Sequence, residues 1–177
     1  MIIKKLNLFL LAFLMLGVFL NPAESQEQFS SKTIHIGLIA SDLDRSLDFY
    51  REVIGMEHTG SFDVAKRVAK ESGLSNGIPF QVEVLKLGEG EQATQLKLMS
   101  FGERADKQSN DYIYDHSGIQ YLTINVHDLA PFIKRIETHQ ATILGDGPVG
   151  IGGDRYLLLL KDTDDTFIEL IGPWSNK

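Results

Sequence analysis

A pattern written twice constrains this chain more than its composition does, because a repeated unit must be one supersecondary element that packs against its copy. Thr33 to Leu43 is a β-rich run ending in Asp42 and Leu43, and Asp44 to Gly55 follows with helical spacing. Ile119 to Leu129 is a second such run ending in Asp128 and Leu129, and Ala130 to Ile136 again follows with helical spacing. In the first run Ile34, Ile36, Leu38 and Ala40 share one strand face, and His35, Gly37 and Ile39 share the other. In the second, Leu122, Ile124 and Val126 form the apolar face, while Tyr121, Thr123 and Asn125 point oppositely. Leu43, Leu47, Tyr50 and Ile54 make one helical stripe, and Leu129, Phe132, Ile133 and Ile136 make its counterpart. Asp42 and Asp128 stand where N-caps belong, and Gly55 fits the position just past a helix end. Pro131 falls in the first turn, where its missing N–H breaks no helical bond.

Both copies then run into strands. The first has Gln81 to Leu87, a turn over Gly88 to Glu91, and Thr94 to Met99. The second has Arg155 to Lys161, a turn over Asp162 to Asp165, and Thr166 to Ile171. The remaining strand of each copy is expected at Glu57 to Phe62 and at Thr142 to Leu144. The fold class expected is therefore α+β, as two tandem βαβββ modules. Their bounds are 26–102 for the first, with a helical insert over 63–72, and 118–177 for the second, with a polar linker over 103–117.

The first 25 residues have a separate reading. Lys4 and Lys5 precede an apolar run from Leu8 to Leu20, and small residues follow up to Ser25. That is the pattern of a secretory signal peptide, and the run falls short of the about 20 apolar residues that span a bilayer. The expected location is secreted or periplasmic, with no membrane association once the signal is removed. The chain has no Cys, so export brings no disulfide and the core must hold the fold unaided. Removal of residues 1–25 takes away two lysines and one glutamate, moving the formal charge from −7 to −8. An acidic chain without a basic run is unsuited to nucleic acid, so small molecules or other proteins are the expected partners.

His35, Gly37, Leu38, Asp42, Leu43, Ser46, Leu47, Phe49 and Tyr50, together with the ending Phe167 to Pro173, resemble the vicinal oxygen chelate superfamily. This is the group of glyoxalases, dioxygenases and bleomycin resistance proteins. The likeness runs from Thr33 to Pro173. It implies two modules whose sheets form a curved cleft, paired within one chain or exchanged between two copies as a homodimer. In metal-dependent members, four inward positions, two per module, hold a divalent cation that grips vicinal oxygens of the substrate.

Spacing places those four positions here. His35 lies seven residues before Asp42, and Tyr121 seven before Asp128. Glu169 sits in the last strand, and aligning the two closing strands sets Lys97 opposite it. With Thr123 and Asn125, the four line the expected cleft. His35 and Glu169 suit Zn²⁺, Ni²⁺, Mn²⁺ or Fe²⁺. Tyr121 binds metal only as phenolate, and its reference pKa of about 10 opposes that. Lys97 as an ammonium has three donors and no lone pair. Three readings of the site stand. The metal is gone and the cleft binds a small molecule, with Lys97 in the cation's role and paired with Glu169. Alternatively His35, Glu169 and a third group such as His116 bind one metal for a lyase, isomerase or dioxygenase of glyoxalase type. Or Lys97, His35 and Tyr121 act as acid–base groups without metal. A protein-interaction module is a further class, marked by an exposed apolar patch without a pocket.

Other signals carry less. Gly145 to Gly150 matches a dinucleotide-binding spacing, but no helix is expected after it, and the segment reads as a flexible loop at the cleft mouth. His58, His127 and His139 are expected at surfaces or helix ends, and Trp174 is expected to close the core. The acidic turn Asp162 to Asp165 lacks the glycine and distal glutamate of a calcium loop.

Overall fold

A computed structural model describes residues 28–102 and 109–175. The signal-peptide reading of residues 1–25 lies outside the described residues.

The first repeat starts with strand β1 (Ile36–Ile39). Helix α1 (Leu43–Asp48) follows and continues as a π-helical segment, Phe49–Ile54. The Asp42 side chain caps it, accepting from the Arg45 N–H at 3.1 Å. The wider π turn gathers Phe49, Tyr50, Val53 and Ile54 into one narrow buried stripe. Gly55 ends the helix at φ 85°, where the N–H of Met56 returns to the Tyr50 carbonyl. Strand β2 (Glu57–Val64), a short helix α2 (Lys66–Glu71), and strands β3 (Phe80–Lys86) and β4 (Gln95–Met99) complete the module. The second repeat is β5 (Tyr121–Asn125), α3 (Ala130–Thr138), β6 (Val149–Gly152), β7 (Arg155–Lys161) and β8 (Phe167–Gly172).

Each repeat is one four-stranded sheet, ordered β1-β4-β3-β2 and β5-β8-β7-β6. In both, the first strand runs parallel to the last and the other pairs are antiparallel. The α+β duplication legible in the sequence is therefore the architecture, down to strand order. Three local expectations need correction. Ile34 precedes β1 and is 75% exposed, not part of the apolar face. At Thr142 to Leu144 there is only one isolated bridge, Ile143 with Leu160. The fourth strand of the second module is β6, within the glycine-rich stretch read as a loop. Gly150 and Gly152 leave that edge strand without alternating side chains, so its β character has no pattern to show.

One buried cluster joins the two modules. It takes Tyr50, Val53 and Ile54 from the π-helical segment after α1, Leu85, Leu96 and Leu98 from the first sheet, and Leu158, Leu160, Ile168 and Leu170 from the second. Leu129 and Ile136 of the second repeat enter it too. Two polar contacts reinforce the junction. Arg135 of α3 donates to the carbonyls of Val53 and Ile54 at 2.9 and 3.2 Å, satisfying helix-end acceptors of the other module. The acidic β7–β8 turn docks on the start of α1, where the Asp164 carboxylate accepts from the Ser41 N–H and the Ser46 hydroxyl. Beneath it, the buried Tyr50 hydroxyl donates to Asp162 at 2.7 Å.

The carboxylate of Asp128 ties down the end of the chain. It accepts from the Ser175 hydroxyl at 2.5 Å and from the N–H groups of Ser175 and Ala130, both at 3.1 Å. The Ser175 hydroxyl, then these backbone donors, hold the Asp128 carboxyl below its ordinary value. A depressed folded pKa contributes stability above the unfolded value of 3.8 and loses it as pH falls through the folded one. Trp174, the chain's single Trp, packs against the core beside Tyr156 with ring centroids 5.6 Å apart, as expected of a core-closing residue. Its fluorescence is expected to shift toward that of solvent-exposed indole on acidification below about pH 4. In Asp128→Asn the shifted signal should already be present at neutral pH. A Trp174 signal with the same acid midpoint in both proteins would exclude this role for Asp128.

Candidate functional site

Each sheet packs one face into the shared cluster and turns the other, its open face, away from it, and strand alternation divides its side chains between them. On β4, Leu96 and Leu98 are buried in the shared cluster, so Lys97 between them projects from the open face. On β8, Ile168 and Leu170 are buried in the same way, and Glu169 projects from the open face of its sheet. The register sets Lys97 opposite Gly37 and Glu169 opposite Thr123. Those partners lie two residues beyond His35 and Tyr121, so the two ladders carry Lys97 and Glu169 at matching places.

The first module brings His35, just before β1, to the same face as Lys97. Its Nδ1 accepts the Gln95 N–H at 3.2 Å. A neutral ring that accepts at Nδ1 carries its proton on Nε2, so the free nitrogen is a donor. Metal-bound histidines show the reverse, donating the far N–H to a carbonyl or carboxylate. The second module brings together Tyr121, Thr123, Asn125 and Glu169. Thr123 donates to Glu169 at 2.6 Å, and Arg155 donates to Asn125 at 3.1 Å. Tyr121 is 46% exposed at the sheet edge. The Lys97–Glu169 pairing expected across a cleft is not made within one chain. Among the described residues, no carboxylate is within ion-pair distance of Lys97. His116 approaches the Ser109 carbonyl at 3.3 Å, within its own segment.

Two cavities lie elsewhere. One, of about 510 Å³, sits at the module junction between Arg45 of α1, Phe49 just after it, and His139, Thr142 and Asp162 of the second repeat. Another, of about 470 Å³, is bordered by Arg51, Met56 and His58. His58 bonds Glu83 at 2.6 Å and stands on the face opposite to that of Lys97.

The donor set does not fit a divalent cation. Lys97 offers no lone pair and His35 presents an N–H, which leaves Glu169 alone as a metal-ligating group of the four. Among the described residues, no three His, Asp or Glu side chains gather as a metal-holding group.

Sequence reasoning missed Lys86 and Arg155. Their signal was available, since alternation from Val82 and Val84 carries Lys86 to the open face, and Arg155 stands at the start of β7 on the face of Leu157 and Leu159. It also missed what the insert does. Helix α2 lies over the open face of the first sheet, burying Ala69 against Phe80 and Val82, with Val64, Val84, Met99 and Phe101 around them.

A family model described as the Glyoxalase/Bleomycin resistance protein/Dioxygenase superfamily matches residues 32–170, and the chain belongs to that superfamily. A glyoxalase family protein from Bacillus cereus shares the fold at a TM-score of 0.60 and 17% identity, over 80% of this chain and 93% of that one. The trypanothione-dependent glyoxalase I of Leishmania major aligns at a TM-score of 0.54 and 22% identity, over 81% and 87%. A fosfomycin resistance protein from Listeria monocytogenes, crystallised with Mn(II) and sulfate, aligns at 0.51 and 13%, over 78% and 89%. At these identities the likeness establishes the fold alone. A comparison with curated proteins gives no match.

Proposed function

We propose that this is an exported small-molecule-binding member of the superfamily in which Lys97 has taken the place of the cation. The observation that carries the reading is the donor chemistry of the first module. His35 turns an N–H outward because Gln95 occupies its other nitrogen, and Lys97 beside it is an ammonium. Both groups attract oxygen atoms of a ligand and neither coordinates a metal. Export rests on the character of residues 1–25, and a small-molecule partner rests on the family and on the polar groups that the open faces carry.

The cleft is completed by a second copy of the chain. His35 and Lys97 stand on one sheet, Tyr121 and Glu169 on the other, and no strand of one sheet is hydrogen-bonded to the other. The first strands β1 and β5 are open edges, flanked by exposed apolar side chains at Ile34 (75%) and Ile119 (87%). Such edges invite pairing with another chain. Pairing β1 of one copy with β5 of the other would set Lys97 of one subunit before Glu169 of the partner subunit.

The test is elemental analysis and light scattering on the purified protein lacking residues 1–25. The expected result is a dimer holding well under one equivalent of transition metal after incubation with Mn²⁺, Ni²⁺ or Zn²⁺. Stoichiometric metal that disappears in His35→Ala or Glu169→Ala would overturn the reading in favour of a metal-dependent lyase, isomerase or dioxygenase. A monomer at micromolar concentration would overturn the shared cleft.

A further inference from the structure

The open face of the first sheet is graded from cationic to apolar, and the grading defines a class of ligand. Register lays its side chains in rows. Gln95 and Lys86 stand opposite each other, with His35 bonded to Gln95 at the sheet edge. The next row is Gly37, Lys97, Val84 and Gly60. Beyond it come Ile39, Met99, Val82 and Phe62. Lys86 and Lys97 are diagonal neighbours on adjacent strands, about 7–8 Å apart at the backbone and within mutual reach of long side chains. Glu57 stands opposite Lys86 on the same face, yet among the described residues no carboxylate comes within ion-pair distance of either lysine.

Two ammoniums one residue row apart, neither in an ion pair among the described residues, form with the outward N–H of His35 a donor set in a chain whose net charge is −7. Glycines stand at both ends of the Lys97 row; nothing lies within 4 Å of where a Gly60 side chain would begin, while the Met99 methyl lies 3.1 Å from where one at Gly37 would. The surface is therefore low at the Gly60 end of the row and flanked by the Met99 methyl at the other. Its apolar end has an exposed step at Ile39, 43% exposed, before the surface passes under α2 at Val82.

We propose that this half of the cleft takes an organic oxyanion, a carboxylate or phosphonate head on an apolar body. The head is held by Lys97, Lys86 and the His35 N–H, and the body lies along Ile39, against the margin of the surface that α2 covers at Met99 and Val84. The inference rests on the small-molecule reading above and gives it a substrate class. Charge-assisted hydrogen bonds of this kind are roughly twice as strong as neutral ones, which sets the expected preference for anions.

The probes are octanoate and octylphosphonate, with octanamide as the neutral isostere, measured by calorimetry on the native protein lacking residues 1–25. The anions are expected to bind at least about tenfold more tightly than the amide, an interval of 1.4 kcal/mol. Lys97→Met and Lys86→Met should each remove most of that preference, weakening the anions far more than the amide. Ile39→Ser should weaken all three probes together, and unchanged thermal midpoints would show that each variant folds. Equal binding of anion and amide, or indifference to both lysine substitutions, would overturn the oxyanion while leaving small-molecule binding intact. Binding of none of the three probes overturns it as well. Stoichiometric metal uptake through His35 and Glu169 would instead defeat the functional reading, and the two failures are thereby told apart.

Discussion

Gly172→Ala is expected to lower the stability of the protein by about 3 kcal/mol, among the largest effects of adding one methyl group anywhere in the chain. A side chain at this position would begin 2.3 Å from the Val126 carbonyl oxygen, 2.8 Å from its Cγ2 and 3.1 Å from its carbonyl carbon. These are mostly backbone atoms, and they have little freedom to retreat. The Val126 N–H bonds the Ile171 carbonyl at 2.8 Å, and the Leu129 N–H bonds the Pro173 carbonyl at 2.9 Å. The β5–β8 pair is thus pinned on both sides of the close approach. Denaturant unfolding would read the loss as a lower midpoint with an unchanged slope. Gly150→Ala is the control, because its first neighbour, a Tyr156 ring carbon, is 3.8 Å away. Its cost should stay below about 1 kcal/mol, in line with a strand glycine of ordinary backbone conformation. Equal losses in the two variants would show that the close approach is not the cause.

Tyr50→Ala should cost about 4 kcal/mol. The ring is 1% exposed, meets Phe49 edge-on with centroids 5.2 Å apart, and packs in the cluster that both modules share. Tyr50→Phe separates the ring from the hydroxyl. It removes only the donor to Asp162 and should cost about 1–3 kcal/mol, the range for a buried acceptor left short of a partner. The pH dependence carries a sign. Burial raises the Asp162 carboxyl above 3.8, while the Tyr50 hydroxyl and the backbone donors at Thr166 and Asp164 pull it back. Burial, then the neighbouring Asp162, hold the Tyr50 phenol well above its ordinary value, so it remains a donor at neutral pH. A carboxyl with a raised folded pKa contributes most below its unfolded value, and its contribution declines as pH rises through the folded one. Without the Tyr50 hydroxyl the Asp162 pKa rises further. The penalty of Tyr50→Phe is therefore expected to be larger at pH 7 than at pH 4. A penalty independent of pH would mean that the hydroxyl does not stabilise the Asp162 carboxylate.

Much of this fold is legible in the sequence because each strand was asked to do two different things. Leu96 and Leu98 against Lys97, or Ile168 and Leu170 against Glu169, alternate so cleanly that face and register follow from period two alone. The cap at Asp42 and the stop at Gly55 are local chemistry, and local chemistry is readable. What escaped was non-local or carried by residues without side chains. β6 has glycine at every second position, so no alternation marks it. The helix α2 is visible as an insert, yet the surface it covers depends on Ala69 meeting Phe80 and Val82 across the sheet. The candidate site was half legible. Spacing sets four residues at equivalent places of the two repeats, but the Gln95 N–H that fixes the ring of His35 comes from 60 positions away. Spacing also cannot show that Lys97 and Glu169 make no ion pair within one chain.

The parallel pairing of first strand with last has a consequence for how the molecule comes into being. Contacts between β1 and β4 close a span of 60 residues, as from His35 to Gln95, and contacts between β5 and β8 close 46, as from Thr123 to Glu169. Long spans slow folding, because the chain loses freedom before the distant contacts form. The acidic turn that seats the start of α1 belongs to the last hairpin of all, more than 110 residues downstream of the serines it binds. The first module is therefore finished by the end of the second: a nascent chain stopped before Asp162 lacks the seat of α1, and one stopped before Phe167 lacks the strand that β5 and β7 pair with.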